Sequence, residues 1–430
     1  MIEEIILTKE IAERFVADED SVDLSEFTAI EDDAAESLSN HEGHLYLNGL
    51  TELSDSAAES LGKYLGGLLW LKGLTSLSDA AAESIRTCEG DLSIGLTRLS
   101  DAAAESLRKH MGKLSLDGLS ELSDAAAGSF GKHGRGSLWL NGLTELSDTA
   151  VENLSKHVVG DPIGFDTTLY LDGLTELSET AAESLSKHKG DLSLDGLTKL
   201  SDSAAESLSK HQNGNLSLYR LTRLPDALAE SLSKQEDLHV SGLTSLSDAA
   251  AESLSKHQGG SLTLSGLTSL SDAAVESLSK FEGSDEIDLS GLTSLSDAAA
   301  KSLSKFEGVY LELSGLTTLS EAAAESLSNL KADRLGLDGL TNLSDPAAES
   351  LSNFEGEVIY LLSLTTLSDA AAENLSKYRG TLELAGLSTL SDAAAEKLSK
   401  HEATLIMNLD NLPVSAAEIL RDAGAEQCDV

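Results

Sequence analysis

The sequence predicts an α/β solenoid in which each coil carries one short parallel strand and one short helix. Three observations carry that prediction. First, the phrase GLTxLSDxAAESLSK recurs at a near-constant short period, as at 49–63, 196–210 and 266–280, which is the signature of stacked repeats. Second, each unit splits into a half with period-two alternation and a half with helical spacing. Third, aromatic residues make up only 4% of the chain. Leu and Ala must therefore fill the interior, and a repeat architecture needs no single closed core.

The elements follow in order. Thr8 to Val16 reads as a capping helix with Ile11, Ala12, Phe15 and Val16 inward, within an N-terminal cap spanning 1–22. The solenoid then runs over 23–408, as about sixteen units of roughly 22 to 25 residues. In a typical unit Leu45 and Leu47 point inward, while Tyr46 and Asn48 point outward. Gly49 lets the backbone turn, and Leu50 and Leu53 plug the interior. Ser54 is a helix N-cap, Asp55 favours the positive end of the dipole, and Ala57, Ala58 and Leu61 form one apolar stripe. Lys187-His188-Lys189-Gly190 reads as a helix end, with cations at the C-terminus and a glycine for a left-handed cap. The unit between Ser147 and Ser178 is longer than the rest, which places an inserted loop at 158–167. A C-terminal capping unit and tail spans 409–430, with a closing helix over Ala416 to Arg421.

The two halves of a coil differ in width. Strands sit about 4.8 Å apart, whereas packed helices need about 8–10 Å. Stacked coils are therefore expected to curve, with the sheet on the concave side.

The formal charge of −43 excludes nucleic acid and anionic membrane as partners, since both demand Lys/Arg patches. It is compatible with a basic partner. Cys88 and Cys428 lie far apart in sequence, so no disulfide framework is implied. The N-terminus lacks a basic region and a long apolar run, and no stretch approaches the roughly 20 apolar residues of a membrane span. The expectation is a soluble cytoplasmic protein, with monomer favoured.

Candidate chemistry is sparse. His110, His133, His157, His188 and His211 share one helix-end slot. A ladder of metal ligands is one reading, but each is the only ligand of its own helix end, and a metal needs several converging at one point. The simpler reading is a residue favoured by the helix dipole. The many serines are N-caps and helix surface, and no GxSxG elbow, P-loop or dinucleotide fingerprint occurs. The chain is expected to be no enzyme and to use no metal or cofactor.

Variation concentrates at the outward strand positions. The first outward slot holds Tyr46, Trp70, Trp139, Tyr170 and His239, with Ser93 and Ser115 between the tryptophans. The next outward slot adds Lys72, Asn141, Asp172 and Tyr219. Both tryptophans of the chain fall in one class of position, and exposed Trp and Tyr on a rigid sheet are typical interface anchors. These nine residues are the candidate contacts for a protein or peptide partner, with 160–166 as a lip. Aromatics also suit strands and pack on their ladder neighbours. A structural spacer, without a specific ligand or with self-association, is the alternative. The near-identical Ser-Gly-Leu-Thr-Ser segments at 241–245, 265–269 and 290–294 fit either a lattice-matching array or recent duplication.

The LxLxGL strands, such as Leu114-Ser115-Leu116-Asp117-Gly118-Leu119, each followed by a helix such as 124–132, resemble the leucine-rich-repeat family in its bacterial form. The resemblance covers roughly 20 to 422. It implies a right-handed curved solenoid and the binding roles that family hosts. One feature departs from the family pattern. Where an Asn would ladder along the turn, this chain reads Gly-Leu-Thr, so Thr51 and Thr75 are candidates for a substitute hydrogen bond.

Overall fold

A computed structural model describes residues 5–134, 136–157, 167–235, 238, 240–283 and 285–428. The chain divides into two compact units, Met1–Tyr219 and Arg220–Val430. The first holds a two-stranded parallel sheet, Ile6–Leu7 with Ala29–Ile30, and an eight-stranded parallel sheet running from Leu45–Tyr46 to Leu216–Ser217. The second holds an eight-stranded parallel sheet from Ser261–Thr263 to Glu426–Gln427. Within each eight-stranded sheet the strands lie side by side in sequence order. A short helix follows nearly every strand. This is a stacked strand–helix α/β architecture.

One coil shows how the sequence builds it. Leu45, Leu47 and Leu50 are fully buried, and so are Ala57, Ala58 and Leu61 from the helix Asp55–Leu61. Each large apolar side chain so buried contributes roughly 1.5–3 kcal/mol. Small alanines on the inward stripe let the next helix approach closely. Leu53 departs from expectation and stays half-exposed. In the helix Lys9–Ala17, Ala12 and Phe15 are buried, Ile11 is half-buried, and Val16 faces solvent. The polar tail also does more than expected, because Glu426–Gln427 adds a parallel strand beside Ile406–Met407.

Glycine serves a different purpose from the one predicted. Among the described residues only Gly136 and Gly424 have positive φ. Gly49 is needed because a Cβ there would lie 2.2 Å from Ser25 O and 2.5 Å from Phe27 O of the preceding coil. The constraint is close backbone approach between coils. Gly190 likewise makes no left-handed cap. The helix before it ends by tightening: Lys187 N–H donates to Ser184 O and His188 N–H to Leu185 O. These bonds to the third residue back satisfy the last carbonyls without an αL residue.

Three ladders tie coil to coil. In the first, the N-cap serine accepts from its own helix and donates to the first carboxylate of the preceding one. Ser54 Oγ accepts from Ala57 N–H at 2.9 Å and donates to Asp32 Oδ1 at 2.5 Å. Ser178 and Ser296 repeat this with Asp148 and Asp272. In the second, Thr51 Oγ1 donates to Thr28 O at 3.2 Å and Thr97 Oγ1 to Thr75 O at 3.2 Å. Threonine thus supplies the substitute turn bond. In the third, the residue before the glycine accepts from the next coil's backbone. Asn48 Oδ1 takes Lys72 N–H, Asp117 Oδ1 takes Asn141 N–H, and Asn141 Oδ1 takes Asp172 N–H. An Asn/Asp ladder therefore exists, one residue earlier than the family resemblance places it.

Candidate functional site

The outward face of the first eight-stranded sheet collects most of the candidate residues. Strand register places Tyr46, Trp70, Ser93, Ser115, Trp139, Tyr170 and Ser193 in one row across the sheet. Trp70 and Trp139 are half-buried there, neither tucked into the core nor fully free. The row forms two aromatic clusters. Tyr46 stands edge-on to Trp70, with ring centroids 5.0 Å apart, and the Lys72 ammonium lies 4.6 Å from the Trp70 ring centre. Trp139 stacks on Tyr170 at 4.8 Å, nearly parallel, and the Lys113 ammonium lies 5.8 Å from the Trp139 ring.

Between the clusters runs a groove of about 310 Å³. Ser93 and Ser115 form its floor and the two tryptophans its walls, three strand spacings or about 14 Å apart. The coil of Ser93 also lacks one residue. Ile94 is followed at once by Gly95, where other coils place a further outward residue such as Asn48 or Asp117. That gap lies between Lys72 and Asp117 and opens the groove on one side.

The other candidates do not join this groove. Asn141 and Asp172 are half-buried members of the third ladder. Asp172 also accepts from Ser193 Oγ at 2.6 Å, and burial raises its pKa despite that bond. Tyr219 is exposed, and its backbone N–H donates to Asp195 Oδ1. His239 and the lip at 160–166 lie outside the described residues. Sequence reasoning missed Leu68, Asp91 and Lys113, which form an earlier outward row. The signal was present, since these residues sit two positions before Trp70, Ser93 and Ser115 and alternation puts them on the same face.

The histidine slot is corrected by the structure. His110, His133, His157, His188 and His211 are all buried, so the slot is one of packing and not of cations favoured by the helix dipole. His133, His157, His188 and His211 form a column of near-parallel rings 5.7 to 6.4 Å apart. His110 Nδ1 donates to Arg86 O and His188 Nδ1 to Ser155 O of the preceding coil. Burial lowers the pKa of His110, His188 and His211, and that of His157 to about 3. His110, His157, His188 and His211 are neutral packing groups at neutral pH. Among the described residues no cluster of three or more His, Cys, Asp or Glu has the geometry to hold a metal ion.

Cys88 is buried and unpaired, and burial pushes its thiol up to about 12. That is the opposite of what a nucleophilic cysteine needs. No helix among the described residues is long and apolar enough to cross a membrane.

No protein-family model matches the chain, and no curated protein matches it. Solved structures similar in fold include a chain of the Drosophila Toll–Spatzle complex, at 16% identity and a TM-score of 0.48, covering 86% of this chain and 56% of that one. A chain from the glycosylated form of that complex matches at 16% identity and a TM-score of 0.40, covering 85% and 43%. An internalin from Listeria monocytogenes matches at 16% identity and a TM-score of 0.34, covering 92% and 94%. The chain thus spans about half the length of the Toll–Spatzle chains. The fold assignment rests on the strand register and the coil-to-coil ladders described above.

Proposed function

We propose that the protein is a non-catalytic leucine-rich-repeat scaffold that holds a protein or peptide partner on the outward face of its sheet. One observation carries this reading. The only two tryptophans of a chain poor in aromatics flank a single groove on that face. Half-buried Trp and Tyr rings on rigid strands offer large contact area with little entropy to lose on binding. The strands are fixed by ladders on both sides, so the surface is preorganised. A cytoplasmic location belongs to the same proposal, supported by two cysteines that are both free.

The test is partner capture with crosslinking in the source cells. Trp70→Ala combined with Trp139→Ala is expected to abolish capture, while Lys63→Ala on the helix side leaves it intact. Capture that is unchanged by the double tryptophan variant would sink the assignment.

A spacer role that engages only copies of itself is the competing reading. It is favoured by the near-identical outward residues Ser265 and Ser290 in the second unit. Light scattering across protein concentration separates the two, because self-association grows with concentration.

A further inference from the structure

We propose that the Trp70–Trp139 groove accepts a peptide segment in which an acidic residue adjoins a bulky apolar or aromatic one. This rests on the strand face being the partner surface, and it adds the chemistry of what enters.

Lys72 and Lys113 are the only Lys or Arg side chains in the outward rows of the first eight-stranded sheet, among the described residues. Both line the groove. Each ammonium lies over a tryptophan ring, and neither forms an ion pair among the described residues. A cation–π contact leaves most of the hydrogen-bonding capacity of an ammonium open. The two carboxylates of the groove differ. Asp117 Oδ1 accepts from Asn141 N–H and Oδ2 from Ser115 Oγ, while Asp91 Oδ1 accepts from Lys113 N–H. Asp117 is tied to the scaffold through both oxygens and Asp91 through one, whereas both ammoniums keep donors for a ligand.

The walls and floor specify the rest. The two tryptophans give the groove apolar walls, each with a Lys ammonium over its ring, and so favour an apolar body set beside a charged group. A volume of about 310 Å³ lies at the bottom of the range for ligand pockets and suits one or two side chains. A carboxylate adjoining that body meets ammonium donors, and such charge-assisted bonds are the strong ones. A basic side chain would sit beside two ammoniums and meet carboxylates that already accept scaffold bonds, Asp117 through both oxygens and Asp91 through Oδ1. A sugar would find few open acceptors for its hydroxyls. The acidic surface elsewhere opposes an acidic peptide at long range, a repulsion that salt damps over about 8 Å at physiological ionic strength, so the local ammoniums must outweigh it.

Trp70 and Trp139 are the only tryptophans in the chain, so tryptophan emission, excited at wavelengths the tyrosines do not absorb, reports on this groove. Three probes are titrated into the full chain: acetyl-Gly-Phe-Glu-Gly-amide, its Lys-for-Glu counterpart, and sialyllactose. The acidic peptide is expected to change emission saturably, with a Kd at least about tenfold below that of the basic peptide. Its binding should weaken as salt rises. Lys72→Gln with Lys113→Gln should remove the preference while leaving the circular dichroism melt unchanged. Tighter binding of the basic peptide would overturn the acidic assignment and leave the strand face standing as a surface. Tighter binding of sialyllactose would overturn the peptide assignment in favour of an anionic sugar. A silent response to all three probes overturns the proposal, and capture by the Trp70→Ala, Trp139→Ala variant then decides whether the partner surface falls with it.

Discussion

Ser78 Oγ accepts from Ala81 N–H at 2.9 Å and donates to Asp55 Oδ1 of the preceding coil at 2.5 Å. One hydroxyl therefore caps its own helix and binds its neighbour. Two places in the chain supply an internal comparison. Where the preceding helix begins with Glu instead of Asp, at Glu179 and Glu321, the bond is not made. Ser201 pairs with Ser203 Oγ instead, and the cap of Ser344 lengthens to 3.3 Å. The extra methylene of Glu carries the carboxylate away from the hydroxyl.

Glu321→Asp is accordingly expected to stabilise the second unit by about 0.5–1 kcal/mol, the net value of a typical hydrogen bond. Ser78→Ala should cost about 1–2 kcal/mol, since it removes a cap together with the cross-coil bond. Calorimetric melting of both variants checks the pair. A neutral Glu321→Asp would show that the serine–aspartate contact adds nothing to the cap.

Acid should open the first unit before the second. The folded pKa of His157 is about 3, against an ordinary value of 6.5. Between those values the unfolded chain binds more protons, so stability falls as pH drops from neutral, by about 1.4 kcal/mol per unit for this residue. His110, His188 and His211 are shifted in the same direction. In the second unit the equivalent slot is mostly apolar, holding Phe281, Phe306, Leu330, Phe354 and Tyr378, with His257 and His401 as its two histidines. Hydrogen exchange from pH 7 to pH 4 should show protection lost first within residues 110–211. His157→Phe should move that loss to lower pH.

Glycine substitutions should split by what their new Cβ meets. Gly73→Ala would place it 2.3 Å from Asn48 O and 2.5 Å from Leu50 O, both backbone. That coil pair must separate, and a loss of about 3 kcal/mol or more is expected. Gly128 lies in the helix Asp124–Phe130, and its nearest contact would be the end of Asn153 at 3.4 Å. Gly128→Ala should therefore stabilise by about 0.5–1 kcal/mol. Urea melts of the two variants should move in opposite directions.

The thiols should also separate. Cys88 is buried with its pKa pushed up to about 12, whereas Cys428 is half-exposed. A chromogenic disulfide reagent at pH 8 should label Cys428 rapidly and Cys88 only on unfolding. Fast labelling of both would contradict the packing around Cys88.

The parts legible in the sequence were those set by local period. Alternation assigned Leu45, Tyr46 and Leu47 to their faces, and the Ser-Asp pair marked each helix start. Relations between coils were not legible, because they depend on which atoms meet across the stack. Gly49 looked like a bend and is a point of close approach. His188 looked like a cation favoured by the helix dipole, yet its ring is buried. Asp55 looked like a dipole partner and is also the acceptor for Ser78. Lys113 was overlooked because it stands one residue before the strand Leu114–Ser115, and outward positions were read only from the first leucine onward.

The serine–aspartate contact also bears on how such a chain changes in length. Each coil presents a donor backward and an acceptor forward, so a coil copied or excised in register leaves no severed linkage behind. The Glu179 and Glu321 junctions are the seams at which that interchangeability is weakest.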